Sequence, residues 1–222
     1  MPLKSPLILA STSPRRQFLL QEAGFQFQIE KPAEDETFPD NMTAEHVPSF
    51  LAEKKANAFK NKITREIVIT SDTVVILGNK ILNKPLGRED AIQMLSSLSG
   101  RTHTVITAVC LLSKEKEDLF DDRTLVTFKK LQAYEIENYV DQCKPYDKAG
   151  AYGAQECLPK GVNPCSREEI EFLERINKVD LVQKSIRTHT GAGMVGIEKI
   201  EGSYFNVMGF PIHKVYEHLV RF

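Results

Sequence analysis

Residues 66–82, EIVITSDTVVILGNKIL, carry the pattern that decides the fold. Two apolar runs, rich in β-branched residues, flank Ser71 and Asp72, and such runs are typical of buried strands. Gly78 and Asn79 follow the second run and favour a tight turn, so the stretch predicts two strands and a hairpin. An aspartate directly after a buried strand is expected at the strand's carboxyl end, where open α/β sheets bind their ligands.

Apolar periodicity on both sides of this stretch predicts alternating strands and helices. Further strands are expected at 7–10, 25–30, 102–112 and 121–131, with the last two antiparallel, and 193–202 is expected to form a second hairpin. Helices are expected at 14–23, 47–60, 88–98, 133–143, 166–177 and 211–220, the fifth opened by a capping box of Ser166 and Glu169. Repeats and linkers are absent from the sequence, so residues 1–222 are interpreted as one α/β domain.

Composition excludes several classes of function. The 222 residues are 41% hydrophobic and 27% charged with a net charge of −1, which favours neither nucleic acid nor a membrane surface as a partner. The four cysteines form no CxxC pair and are expected to be reduced. The apolar run at 7–10 is too short for a secretory signal, so a cytoplasmic protein is expected.

Two arginines stand at an unfavourable place in residues 7–20, LILASTSPRRQFLL. Ser13 as N-cap and Pro14 as first helical residue predict a helix start, which puts Arg15 and Arg16 at the positive end of the helix dipole. A bound phosphate would explain both cations, because helix N-termini and guanidinium groups both bind phosphate. Nearby carboxylates are an equally good explanation from these residues alone.

Carboxylates form the second group of candidate residues. A buried Asp72 needs a partner or a metal, although a turn-capping role beside Thr73 is an alternative. The acidic residues of the loop at 31–40 are possible ligands of a hard cation such as Mg²⁺, although such a run is more often a solvated loop. These loop residues are Glu34, Asp35 and Glu36.

Lysines complete the set. Lys84 lies in the turn after the predicted hairpin, so the chain is able to bring its side chain back towards Asp72. The alternative is a solvated surface residue, as a single lysine usually is. Lys54 and Lys55 lie on different faces of one helix, so at most one of them points inward. Cations for phosphates together with carboxylates for Mg²⁺ are what phosphoanhydride cleavage requires.

Seven segments, in this order, resemble the Maf family of nucleoside triphosphate pyrophosphatases: ASTSPRRQFLL, LAEKKA, SDTVV, LNKP, LSGRTHTVITAV, DKAGAYGAQ and IEGSYFNVMGFP. The resemblance implies an elongated, two-lobed α/β fold of the Maf and inosine-triphosphatase type, with a mixed sheet, a central cleft and often a homodimer. It also implies hydrolysis of a nucleoside triphosphate to the monophosphate and pyrophosphate with a divalent metal, Mg²⁺ or Mn²⁺.

The resemblance also implies roles for individual residues. Asp72 would accept the proton of the attacking water and hold the metal together with Glu36. The expected triphosphate ligands are Ser11, Arg15, Arg16, Lys55 and Lys84. Base selectivity would reside in Arg15, Thr73 and Gln155. The segment DKAGAYGAQ resembles the corresponding segment of the family branch that acts on dTTP and UTP. A Gln amide is able to pair with both the carbonyl and the N–H of a uracil or thymine edge.

Two departures from the family pattern accompany this resemblance. LNKP replaces the more usual LGKP, and residues 156–187 form an insertion with a helix of its own. Cys157, Cys165 and His189 lie in or near the insertion, but their irregular spacing favours free thiols over a zinc site. The leading hypothesis is an enzyme that clears pyrimidine or modified nucleotides. There are two alternatives. One is a regulatory nucleotide-binding protein of cell division whose enzymatic activity is incidental, and the other is a nucleotidyltransferase.

Overall fold

The computed structural model describes residues 5–32, 36–159, 161–186 and 196–222. The strands are β1 (Leu7–Leu9), β2 (Gln28–Ile29), β3 (Ile67–Leu77), β4 (Lys80–Leu82), β5 (Thr102–Leu112), β6 (Glu117–Phe128) and β7 (Ile197–Glu201). The helices are α1 (Pro14–Glu22), α2 (Val47–Asn57), α3 (Arg88–Leu98), α4 (Ala133–Cys143), α5 (Ala154–Cys157), α6 (Arg167–Arg175), α7 (Leu181–Ser185), α8 (Tyr204–Val207) and α9 (Ile212–Arg221). A 3₁₀ turn, Ala149–Ala151, precedes α5.

The strands form one seven-stranded mixed sheet in the order β2-β1-β3-β5-β6-β7, with β4 paired to β3. β1 runs parallel to both β2 and β3, whereas β4 is antiparallel to β3 and β7 is antiparallel to β6. The predicted α/β class and mixed sheet are therefore confirmed.

The chain divides into two compact units. Unit 1 comprises Met1–Thr73, Ile106–Asp122 and Gly209–Phe222, and unit 2 comprises Val74–Val105 and Arg123–Met208. β3, β5 and β6 each contribute residues to both units.

The core of unit 1 forms where α2 packs on the sheet. Ala52 and Ala56 lie one helical turn apart on the buried face of α2, and their small side chains allow the helix to approach the strands closely. Ile8 of β1 and Val68 of β3 belong to the same cluster. This packing brings the buried face of α2, which also carries Lys55, towards the sheet.

The core of unit 2 contains an aromatic cluster and a buried carboxylate. Phe128 and Tyr152 pack edge to face with ring centroids 4.9 Å apart. The predicted capping box opens α6, where the Ser166 side chain accepts from the Glu169 N–H. Glu169 is buried, and it also accepts hydrogen bonds from the Ser203 hydroxyl at 2.6 Å and from backbone N–H groups at the start of α8. One carboxylate therefore caps two helices.

Four of the predicted elements are corrected by the structure. Residues 67–77 form one continuous strand, β3, instead of two strands. Because the Asp72 carboxylate is paired with Lys55, the strand continues through this buried charge without a break. β2 is shorter than the predicted strand at 25–30, and β6 begins at Glu117, before the predicted residue 121. β7 pairs with β6, so 197–201 do not belong to a local hairpin, and residues 193–195 lie outside the described part of the chain.

The four cysteines are free, as predicted: Cys110, Cys143, Cys157 and Cys165. Within the described ranges, no helix combines the length and the apolar character needed to cross a membrane.

Candidate functional site

Asp72 lies inside β3, beyond the part of the strand that pairs with β1. The last β3 residue with a partner in β1 is Ile69, whose carbonyl also accepts from Ala10 N at 2.8 Å. Asp72 follows three residues later and is only 7% exposed. The prediction that a strand ends just before Asp72 is therefore wrong, but Asp72 still lies past the carboxyl end of the parallel β1–β3 pairing.

Lys55 is the partner of this buried carboxylate. Its ammonium lies 2.6 Å from Asp72 Oδ1 and 3.2 Å from Glu36 Oε1. Lys55 is buried on α2, whereas Lys54 points to the Thr37 carbonyl and hydroxyl, so only one of the two lysines turns inward, as predicted. Two carboxylates thus converge on one cation in unit 1.

Burial raises the pKa of Asp72, and the positive charges of Lys55 and Arg16 oppose that rise. A buried carboxylate with a raised pKa is a better proton acceptor than an exposed aspartate, provided that it is ionised. The site therefore holds a carboxylate suited to general-base chemistry next to a cation able to bind phosphate.

Arg16 is held by four acceptors within unit 1. Its Nε donates to the Gly209 carbonyl at 2.9 Å, and Nη1 donates to the Ser71 carbonyl at 2.8 Å and to Ser11 Oγ at 3.4 Å. Nη2 donates to Thr73 Oγ1 at 3.1 Å. Burial lowers the pKa of Arg16 to about 10, which leaves the guanidinium charged at neutral pH.

These bonds engage four of the five guanidinium N–H groups of Arg16, so at most one remains for a substrate unless a bond breaks. The cost of a cation near the start of α1 is offset by backbone carbonyls and hydroxyls of the protein itself. Arg15, the neighbouring arginine, is half-buried and also has interactions of its own. A triphosphate role for both arginines stays a prediction, and Arg16 acquires a structural role that the sequence did not indicate.

We expect Arg16→Ala to lower the free energy of unfolding by about 2–4 kcal/mol, because several buried acceptors lose the charged group that donates to them. Urea unfolding of the nucleotide-free protein measures this change. Arg15→Ala is the matched control and should cost less. Equal unfolding midpoints for Arg16→Ala and the unchanged protein would contradict the structural role of Arg16.

Three residues that the family resemblance links to substrate have different surroundings. Thr73 Oγ1 lies 3.0 Å from Thr107 Oγ1 in unit 1. Lys84 is exposed in the loop after β4, and Gln155 is 5% exposed on α5; both belong to unit 2. The Gln155 side-chain oxygen is buried and has no hydrogen-bond partner among the described residues.

A buried cluster beside Gln155 was not predicted from the sequence. Tyr139 donates to Glu156 Oε2 at 2.7 Å, and the Lys148 ammonium lies 3.8 Å from Glu156 Oε1. Lys148 and Glu156 stand among small residues in DKAGAYGAQE, and this pattern was the available sign that both are buried. Thr107 was missed as well, since a threonine in an apolar strand resembles any other strand residue.

The residues around Lys55 fit a divalent metal. Among the described residues, no group of three or more His, Cys, Asp or Glu side chains is arranged to hold a metal ion. Mg²⁺, however, is usually held by one or two carboxylates together with substrate phosphates and water. Asp72 and Glu36, which already converge on one positive charge, supply such a pair. Glu34 and Asp35, also predicted as possible ligands, lie outside the described residues.

The chain is similar to several known proteins. The family model described as Maf-like protein matches residues 6–169. A dTTP/UTP pyrophosphatase of Bacteroides fragilis is 41% identical over 215 residues, covering 96% of this chain and 94% of that protein. A dTTP/UTP pyrophosphatase of Flavobacterium johnsoniae is 41% identical over 217 residues, covering 97% and 94%. The Staphylococcus aureus Ham1 structure matches 55% of this chain and 71% of its own at 12% identity and a TM-score of 0.39.

Proposed function

This chain belongs to the family of Maf-like proteins, and we propose that it is a nucleoside triphosphate pyrophosphatase that hydrolyses dTTP and UTP. The products are the nucleoside monophosphate and pyrophosphate. The observation that carries the proposal is the buried Lys55–Asp72 pair with Glu36 at the same ammonium, because it joins a base, a cation and a second carboxylate. The names of the relatives support the choice of substrate.

In the proposed reaction, water attacks the α-phosphorus while Asp72 accepts a proton from that water. The bond from the α-phosphorus to the bridging oxygen breaks, and pyrophosphate leaves with the electron pair of that bond. Lys55 keeps Asp72 ionised before the reaction and presents positive charge to the phosphate oxygens. Burial of Asp72 limits competing hydration of its carboxylate.

We also propose that the reaction depends on a divalent metal, Mg²⁺ or Mn²⁺, held by Asp72 and Glu36. When bound, the metal supplies positive charge against the phosphate oxygens. The protein's own part is to hold the two carboxylates at one place, which the ion pairs of Lys55 achieve.

Substrate contacts follow the family roles with one change. The triphosphate is proposed to bind to Ser11, Arg15, Lys55 and Lys84. Arg16 is proposed to contribute only the guanidinium N–H group that is not already bonded within the protein. Gln155 and Thr73 are proposed to select the base together with Arg15. The buried, unpartnered oxygen of Gln155 supports this assignment, since such an atom is costly unless a ligand satisfies it.

A cytoplasmic location is part of the same proposal. The four free cysteines support a reducing compartment, and nucleoside triphosphates are substrates of the cell interior.

A panel of nucleoside triphosphates with Mg²⁺ or Mn²⁺, followed by pyrophosphate release, tests the proposed function. We expect dTTP and UTP to be hydrolysed with clearly higher kcat/KM than CTP, ATP or GTP, because Gln155 matches a uracil or thymine edge. A metal chelator should abolish turnover. A purine as best substrate would contradict the base assignment, and nucleotide binding without turnover would favour the regulatory alternative.

A further inference from the structure

We propose that Tyr139, Lys148 and Glu156 form a positioning network that fixes Gln155 and thereby sets the preference for a uracil or thymine base. The inference rests on the proposed function, because it concerns the selectivity of that same reaction. These residues are not proposed to touch the substrate. They act through the short helix α5, which carries Gln155.

Glu156 is the centre of the network. Its carboxylate is buried, and it accepts a 2.7 Å hydrogen bond from the Tyr139 hydroxyl. The same hydroxyl accepts from Gly153 N at 3.0 Å, so Tyr139 ties both the side chain of Glu156 and the backbone just before α5. Lys148 is also buried and places positive charge 3.8 Å from the other oxygen of Glu156.

Anchoring Glu156 determines where Gln155 points. α5 covers only Ala154–Cys157, a single turn that is too short to be stable by its own hydrogen bonds. Neighbouring side chains on a helix are separated by a rotation of about 100° around the axis. Because Glu156 is fixed in direction by its partners, the rotation of α5 is fixed, and so is the direction in which Gln155 leaves the helix.

The packing around Gly153 leaves little room for another arrangement. A Cβ atom at this position would lie 2.9 Å from Glu156 Oε2 and 3.1 Å from Lys148 Cε. The backbone that leads into α5 therefore approaches Glu156 and Lys148 as closely as a glycine allows. The network holds α5 by contact as well as by hydrogen bonds.

Gln155 needs such support to discriminate between bases. A glutamine amide presents both a donor and an acceptor, so its position decides which base edge it satisfies. A displacement of the side chain by about 1 Å is enough to lose most of the effect of a contact that depends on a defined geometry. The buried Oε1 of Gln155 lacks a partner among the described residues, so its location has to come from the backbone of α5.

Tyr139→Phe tests the proposal, because it removes the hydroxyl and both of its hydrogen bonds while keeping the ring. We expect the ratio of kcat/KM for UTP over CTP to fall by about threefold to tenfold, the range that corresponds to the net contribution of one ordinary hydrogen bond. The loss should appear as a higher KM for UTP, with little change in kcat. Tyr204→Phe is the matched control, since its buried hydroxyl contacts Ser185 Oγ at 3.2 Å in the same unit, and its ratio should stay unchanged.

A double-mutant cycle separates positioning from a general loss of stability. In a Gln155→Ala background, Tyr139→Phe should cause no further change in the UTP-over-CTP ratio, because the residue that it positions is gone. Glu156→Gln, which keeps the shape but removes the charge, provides a second variant if Tyr139→Phe does not fold. An unchanged ratio in a folded Tyr139→Phe or Glu156→Gln enzyme, or equal effects with and without Gln155, would overturn the proposal. Absence of turnover in the unchanged protein would instead overturn the proposed function.

Discussion

Replacing Asp72 with asparagine is expected to lower kcat by about 10²–10⁴-fold, the usual contribution of a general base. Asparagine keeps the shape of the side chain inside β3 but removes its basicity and its charge towards Lys55. Steady-state pyrophosphate release from UTP measures the change. Asp121→Asn, at an exposed position of β6 in the same unit, is the control and should retain turnover.

The pH profile provides an independent check on Asp72. Burial raises the pKa of this carboxyl, and only the ionised form accepts a proton. Activity should therefore fall as the pH decreases and Asp72 takes up a proton. The residual activity of Asp72→Asn should lack this acid limb. Near-normal turnover in the variant, or an acid limb that survives the substitution, would show that another group is the base.

Replacing Glu169 with alanine is expected to lower the free energy of unfolding by about 3–5 kcal/mol, because several buried donors lose their acceptor at once. These donors are Ser166 N at 2.8 Å, Ser203 Oγ at 2.6 Å, Tyr204 N at 3.0 Å and Phe205 N at 2.9 Å. Urea unfolding followed by circular dichroism measures the loss.

Glu168 offers a matched control for this substitution. It precedes Glu169 in the first turn of α6 but is exposed, so Glu168→Ala should change stability by less than about 1 kcal/mol. Glu169→Gln should fall between the two, because the amide keeps one acceptor oxygen but turns an NH₂ group towards donors. Similar unfolding midpoints for Glu168→Ala and Glu169→Ala would mean that the carboxylate contributes little to the fold.

Features encoded by neighbouring residues were predictable from the sequence. Pro14 and the Ser166–Glu169 capping box start their helices as expected, because both signals act within one helical turn. Gly78 and Asn79 mark the β3–β4 hairpin for the same reason. The inward direction of a single lysine on α2 followed from helical geometry alone.

Features that depend on distant partners were not predictable. Ser71 and Asp72 resemble a break between strands, and only the arrival of Lys55 from α2 explains why β3 continues through them. The additional donors to the Glu169 carboxylate belong to residues more than 30 positions later, so the capping box indicated only part of the role of Glu169. The homodimer, the metal and the limits of the insertion at 156–187 stay predictions.

The hydrogen bond from Arg16 to the Gly209 carbonyl has a consequence for how the chain acquires its structure during synthesis. The two residues are 193 positions apart, and Gly209 begins the last segment of unit 1. A ribosome that has made the first half of the chain has therefore not yet supplied an acceptor that Arg16 needs. Unit 1 starts first but finishes last, whereas the whole of unit 2 is translated before residue 209 emerges. A nascent chain cut short before Gly209 leaves the Arg16 guanidinium without one of its two backbone acceptors.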